Sequence, residues 1–317
     1  MKTLNNFSNK SYKNSYGFLI IVLSLAYGYV MNLGLYGFGK DFYGSYGTGN
    51  LYYGGYEDRL GWIIASMKVG DFHIGVFITS FLLAYSTLKL AVHVTERTLK
   101  KRLDILIFII FALLILHSWP ILMSTSNAMR QGIMMSFLYL SLISIDKQEN
   151  FKSFCFVGLM LLSHKSGLMY LSIILSATVF NRFIKGSNNS LLYSILLVFF
   201  FAILINFLPE SRDKTIGYDF SFVWLIIGLM TLLYLRPRDQ NRNIFSAYVY
   251  IWLLFSPILY FNVATFQFER VWMVNVILVM LVVTNRFKKN QITIIAIFEF
   301  AALVALTFVT GMFASLT

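Results

Sequence analysis

Apolar residues reach this chain in runs of about 15 to 25, the length that crosses the roughly 30 Å hydrocarbon core of a bilayer as a helix. Nothing else in the sequence narrows the fold so far. Backbone in lipid must satisfy its own N–H and C=O groups, and a helix does so within one segment. The expected fold is therefore all-α, a polytopic integral membrane protein with residues 1–317 as a single transmembrane domain. Composition agrees. Of 317 residues 58% are hydrophobic and 13% charged, the second figure being about half the share of a soluble domain. A soluble enzyme, a disordered chain and a disulfide scaffold are excluded. Cys155 is the one cysteine, and no polar stretch is long enough for a soluble catalytic domain.

Eleven spans are expected, at 16–36, 72–94, 103–118, 120–145, 151–163, 166–181, 190–208, 219–235, 244–261, 263–284 and 292–316. Residues 1–15 then form a cytoplasmic tail, with no small-residue cleavage pattern behind the first apolar run. Residues 37–71 form the largest outer loop. The net charge of +12 does not point to nucleic acid. With the N-terminus inside, 18 of the 26 basic residues fall on the inner side, among them Lys100, Lys101, Arg102, Arg236, Arg238 and Arg242. That is the bias of cytoplasmic loops. An odd number of spans places the C-terminus outside. A reporter fused after Thr317 that works only in the periplasm is expected to be active, and a cytoplasm-only reporter silent. The reverse result would remove a span.

Residues 151–182 are too few for two full spans of about 20 residues each. Reading them as one span would turn Arg236, Arg238 and Arg242 outward, against the charge bias. Two short helices meeting near His164 fit better. Non-helical backbone at that depth is tolerated where it lines a cavity or is buried in protein, so this broken or re-entrant pair is the first indication of a site.

Several charges sit where lipid opposes them. Arg130 lies about 15 Å along the fourth span from its outer end, behind the polar run Ser124–Asn127. A charge at that depth is costly and marks function, although an arginine on a tilted helix can also snorkel to the surface. His164–Lys165 falls at the proposed break; the plain account is a core histidine beside a snorkelling lysine. Glu269–Arg270 opens the tenth span, where a local interfacial ion pair would suffice. Glu57, Asp58 and Arg59 head an amphipathic stretch before the second span, which a surface-lying helix would explain. All four clusters fall on the same outer side. If Arg130 has no buried acidic partner, its replacement by alanine is expected to leave stability unchanged or raised. Residues 34–56 are rich in Gly and Tyr, suited to stacking on sugar rings and equally to a membrane interface.

No metal-ligand spacing, phosphate-binding glycine loop or nucleophile elbow is present, so neither a metal nor a cofactor is expected. Arginines beside a histidine in a membrane cavity suit a diphosphate, which arginine grips with paired hydrogen bonds and permanent charge. The run "SNAMRQGIMMSFLYLSLI" followed by "LMLLSHKSGLMYL" resembles the Asn-x-x-Arg-Gln helix and the later His-x-Ser segment of EpsG-like, Wzy-type polysaccharide polymerases. Asn127, Arg130, Gln131, His164 and Ser166 are the matching positions. "GKDFYGSY…YEDRLGW" is similar to the first outer loop of that family, through Asp41, Tyr43 and Glu57, and "FERVWMVN" to its late arginine segment, through Arg270. The likeness runs over most of residues 35–285. Asp58–Arg59 departs from it, standing where the family pattern has an uncharged pair.

The resemblance implies a GT-C-like glycosyltransferase in the bacterial cytoplasmic membrane. Such an enzyme polymerises oligosaccharide repeat units on undecaprenyl diphosphate into O-antigen, capsule or exopolysaccharide. Its partners would be that lipid-linked glycan, the membrane lipid and a chain-length regulator. Arg130 and Arg270 would stabilise the departing diphosphate in place of a metal, and His164 would be either the base for the attacking hydroxyl or a donor to phosphate. Asp41, Tyr43, Glu57, Arg59, Asn127, Gln131, Lys165 and Glu269 would bind substrate, and the loop 37–56 would select the glycan. Two rival classes carry similar cavities. A flippase would show internal repeats, of which none is evident; a ligase or acyltransferase would carry a larger outer loop.

Overall fold

The structure, a computed structural model, describes residues 2–34, 42, 46, 58–99, 105–126, 128–184, 187–204, 221–234, 243–262, 265–284, 299, 301–302 and 304–305. These residues are mostly helical, with no strand among them beyond an isolated bridge between Val69 and Phe72. In chain order the helices are α1 (Lys2–Asn32), α2 (Arg59–Ala65), α3 (Ile74–Leu99), α4 (Ile105–Leu116), α5 (Trp119–Ser126), α6 (Met129–Asp146), α7 (Asn150–Ser163), α8 (Gly167–Phe183), α9 (Ser187–Leu204), α10 (Ser221–Tyr234), α11 (Ile244–Asn262) and α12 (Thr265–Thr284).

Among the described residues, α3 over Ile74–Thr95 and α11 are long and apolar enough to cross a bilayer, and a third span results if the bent pair α4–α5 counts as one. The apolar segments Tyr16–Asn32, Asn150–Ser163, Gly167–Phe183, Leu192–Ile203 and Phe222–Leu232 are shorter. The surface explains why this is a membrane protein. Phe151, Phe154, Phe183 and Phe261 are 73–80% exposed, in company with many Leu and Ile side chains on α9 and α10. Water would penalise such a surface, and lipid does not. The hydroxyls obey the same constraint. Ser24, Ser136 and Thr178 donate to the carbonyl one turn back, at 2.7–2.8 Å, which satisfies them without a neighbour.

Helix α6 is the centre of the bundle, with every residue from Gln131 to Ser144 buried, and it packs chiefly on α3 and α7. Beside it, indole rings link four helices: Trp119 of α5 stacks on Trp224 of α10, that ring stacks on Trp272 of α12, and Trp252 of α11 meets Trp272 edge-on. Buried hydroxyls tie the same region together. Tyr139 donates to the Val274 carbonyl at 2.8 Å, and Tyr248 to Asn275 Oδ1 at 2.9 Å. Removing the Tyr248 hydroxyl, as in Tyr248→Phe, leaves a buried amide oxygen without its donor. A loss of about 1 kcal/mol is expected, read as a lower thermal midpoint in lipid discs. An unchanged midpoint would show that Asn275 finds another donor.

The expected span at 120–145 differs. Residues 120–145 are not one helix: α5 ends at Ser126 and α6 begins at Met129, with Ala128 between them at φ −97°, ψ 51°. Two causes act together. Thr125 turns its hydroxyl onto the Leu122 carbonyl, and Gly132, lacking a Cβ, lets the Ser124 carbonyl press onto α6. A second bend, of 60°, separates α4 from α5. There Pro120 sits at the start of α5, where its missing N–H costs least. Arg130 is therefore in the first turn of a new helix, not ten residues into an old one. The break near His164 falls where expected, α7 ending at Ser163 and α8 starting at Gly167. Of the expected last span, 292–316, only a few positions are described.

Candidate functional site

The break between α7 and α8 begins at His164, whose backbone is extended (φ −160°, ψ 138°). The turn that follows is held locally. The Gly167 N–H donates to the His164 carbonyl at 2.8 Å, and the Ser166 hydroxyl lies 2.7 Å from His164 Nδ1 and 3.2 Å from Met134 Sδ. Helix α2 lies directly over this break. A Cβ on Gly61 would collide with the Ser163 carbonyl oxygen and stand 3.1 Å from Arg130 Cβ, so only glycine lets three elements meet there.

Arg130 extends from the first turn of α6 into this junction. A cation in that turn opposes the helix dipole, so the site must supply its stabilisation from elsewhere. Three groups do. Nη1 donates to Asp58 Oδ2 at 2.7 Å, Nε donates to the Tyr46 oxygen at 3.1 Å, and the guanidinium carbon lies 4.2 Å from the centre of the Trp62 ring. The Tyr46 and Trp62 rings pack on each other, 5.1 Å between centres. The ion pair is largely withdrawn from solvent: the Arg130 and Asp58 side chains are 23% and 11% exposed. The other Asp58 oxygen, Oδ1, accepts the backbone N–H of Lys165 at 2.6 Å. One carboxylate thus joins the start of α2, the start of α6 and the broken segment. Nη2 of Arg130 donates to nothing among the described residues.

The other expected site residues divide three ways. Gln131 is buried and donates to the Arg270 carbonyl at 2.5 Å, which brings α12 to the same place. Glu269 and Arg270 are half-buried near the start of α12. Asp58 joins Arg130 to the backbone of the His164–Lys165 break, and Gln131 joins the next residue of α6 to the Arg270 backbone, so the structure gathers these segments at one junction. Lys165 contributes its backbone to the junction while the residue itself is exposed, and Arg59 is exposed at the start of α2. Asp41, Tyr43, Glu57 and Asn127 lie outside the described residues.

Asp58 was missed as a site residue, as were Tyr46 and Trp62. A counter-ion for Arg130 is demanded by its depth, but several acids are available upstream and nothing in their spacing selects one. Stability of Arg130→Ala is expected to hold only without a buried acid such as Glu57 or Glu269 beside Arg130; the structure supplies such an acid, and it is Asp58.

Chemically the junction offers a fixed guanidinium whose Nη2 is uncommitted among the described residues, a histidine and a second arginine around a gap in the helices. That set can bind an anion and stabilise charge as it develops. Among the described residues no group of three or more His, Cys, Asp or Glu could hold a metal ion. No protein-family model, curated protein or solved structure matches the chain.

Proposed function

We propose that the protein is a polysaccharide polymerase of the bacterial cytoplasmic membrane, a glycosyltransferase that extends glycans carried on undecaprenyl diphosphate at the outer face. The observation that carries this reading is the Arg130 guanidinium, fixed on three sides with Nη2 uncommitted among the described residues, at a break in the helices beside His164. A planar cation fixed in this way matches the paired oxygens of a diphosphate. A break among apolar helices also suits a ligand whose lipid tail stays in the bilayer while its head group enters the protein.

In the reaction, the acceptor sugar hydroxyl attacks the anomeric carbon of the donor glycan. The bond from that carbon to the diphosphate oxygen breaks, and lipid diphosphate leaves with the bonding pair. Negative charge grows on the departing oxygen, where Arg130 and Arg270 stabilise it in place. His164 either takes the hydroxyl proton or, where that proton passes to the departing diphosphate, hydrogen-bonds a phosphate oxygen. The wider topology belongs to the same reading: eleven spans in a GT-C-like arrangement, the N-terminus inside and the C-terminus outside, with O-antigen, capsule or exopolysaccharide as the product and a chain-length regulator as partner.

The test is direct. Purified protein in lipid vesicles, given a synthetic undecaprenyl-diphosphate-linked repeat unit, is expected to produce a ladder of longer glycans and to release undecaprenyl diphosphate. Movement of the unit across the vesicle without elongation would replace this reading with a flippase. Transfer to a different acceptor would indicate a ligase.

A further inference from the structure

We propose that Asp58 is a positioning residue that presets Arg130: its carboxylate fixes which edge of the guanidinium faces the ligand. The identity of the ligand rests on the polymerase reading; the clasp itself does not.

Both carboxylate oxygens are committed. Oδ2 accepts from Arg130 Nη1 at 2.7 Å and Oδ1 from the Lys165 backbone at 2.6 Å. Each oxygen is tied to the protein, one to a cation and the other to a backbone amide, which suits Asp58 to hold Arg130 in place. Nor is the carboxylate needed merely to hold the elements together. The Gly61 contact already seats α2 on the Ser163 carbonyl, and Trp62 already lies beneath the guanidinium. What Asp58 alone supplies is direction. With Nη1 drawn to Asp58 and Nε to Tyr46, the planar group cannot rotate, and Nη2 faces one way. An uncharged isostere cannot reproduce this. An Asn at position 58 that keeps its oxygen on the Lys165 N–H turns its NH2 toward Nη1, donor against donor. The clasp then becomes a repulsion of nearly unchanged shape.

The experiment has two arms, both on full-length protein in lipid discs. The first measures binding of undecaprenyl diphosphate to the wild type, Asp58→Asn, Arg130→Gln and the double variant. Asp58→Asn is expected to weaken binding about tenfold, with the double variant no weaker than Arg130→Gln alone, because a residue acting through another adds nothing once that other is gone. Losses that multiply would overturn the proposal.

The second arm needs no ligand. Phenylglyoxal modification of each arginine is followed by mass spectrometry, and Asp58→Asn is expected to speed modification of Arg130 about tenfold while leaving Arg270 and Arg182 unchanged. An unchanged Arg130 rate, or an equal rise at Arg270, overturns the proposal. Asp58→Glu, which restores the charge, is expected to keep Arg130 protected within about twofold of the wild type. Should Asp58→Asn fail to accumulate, that variant carries the comparison, and lost protection there overturns the proposal. Failure of the wild type to bind the diphosphate, with Arg130 still released in Asp58→Asn, sinks the polymerase reading and upholds the clasp.

Discussion

Arg130→Lys is expected to insert, accumulate and melt like the wild type while losing elongation about a hundredfold, the usual consequence of removing one preorganised donor at a developing charge, about 3 kcal/mol. Lysine keeps a cation near Asp58, but it cannot lie flat on Trp62 with nitrogens directed to Tyr46, to Asp58 and to a ligand at once. On the polymerase reading, cells carrying it should display single repeat units in place of long chains. Arg130→Ala should fail in a second way. It strands the Asp58 carboxylate, 11% exposed and still bonded to the Lys165 amide, and breaking one half of a buried pair costs about 3 kcal/mol. The two variants thus separate chemistry from stability. A stable Arg130→Lys protein that makes polymer of normal length would end the diphosphate role.

The second large effect concerns Gly61. Its substitution by alanine puts a methyl group against a backbone oxygen, Ser163 O, which has no flexible side chain to swing away. Helix α2 must then lift from the break, taking Asp58 and Trp62 with it. A loss of about 3 kcal/mol is expected, together with a fall in any activity of the junction. Gly158 is the control. It lies inside α7 with nothing near where a Cβ would stand, so Gly158→Ala should hold or raise the melting temperature, since alanine favours a helix by about 0.5–1 kcal/mol. Thermal midpoints of fluorescent fusions read by size exclusion would compare the pair. Equal midpoints would mean that α2 does not rest on Ser163.

The helical membrane class was legible because run length and bilayer thickness are linked by simple geometry. The broken pair at His164 was legible for the same reason, 151–182 being too short for two spans and charge bias opposing one. The fold-back before α6 was not. Hydropathy averages over a window and is blind to a single missing Cβ, and it is Gly132 that admits the Ser124 carbonyl. At the site, the meeting of Arg130, Gln131, His164 and Arg270 could be anticipated from polar residues on one expected side. The Asp58 contact could not, because it spans 72 positions and the aspartate stands beside Glu57, an equally good acid on paper.

The order of residues in the clasp has a consequence for biosynthesis. Asp58 leaves the ribosome 72 residues ahead of Arg130, and Lys165 follows later still. An arginine entering the membrane is expensive while it is bare, but here its counter-charge has already been made and is waiting. The guanidinium can be neutralised as soon as α6 arrives, before α7 and α8 exist. The last bond, from the Lys165 amide, can form only when the broken segment docks, so it reports completion of the bundle. A nascent chain halted after α6 would hold the ion pair without the turn that carries His164: folded in part, and inert.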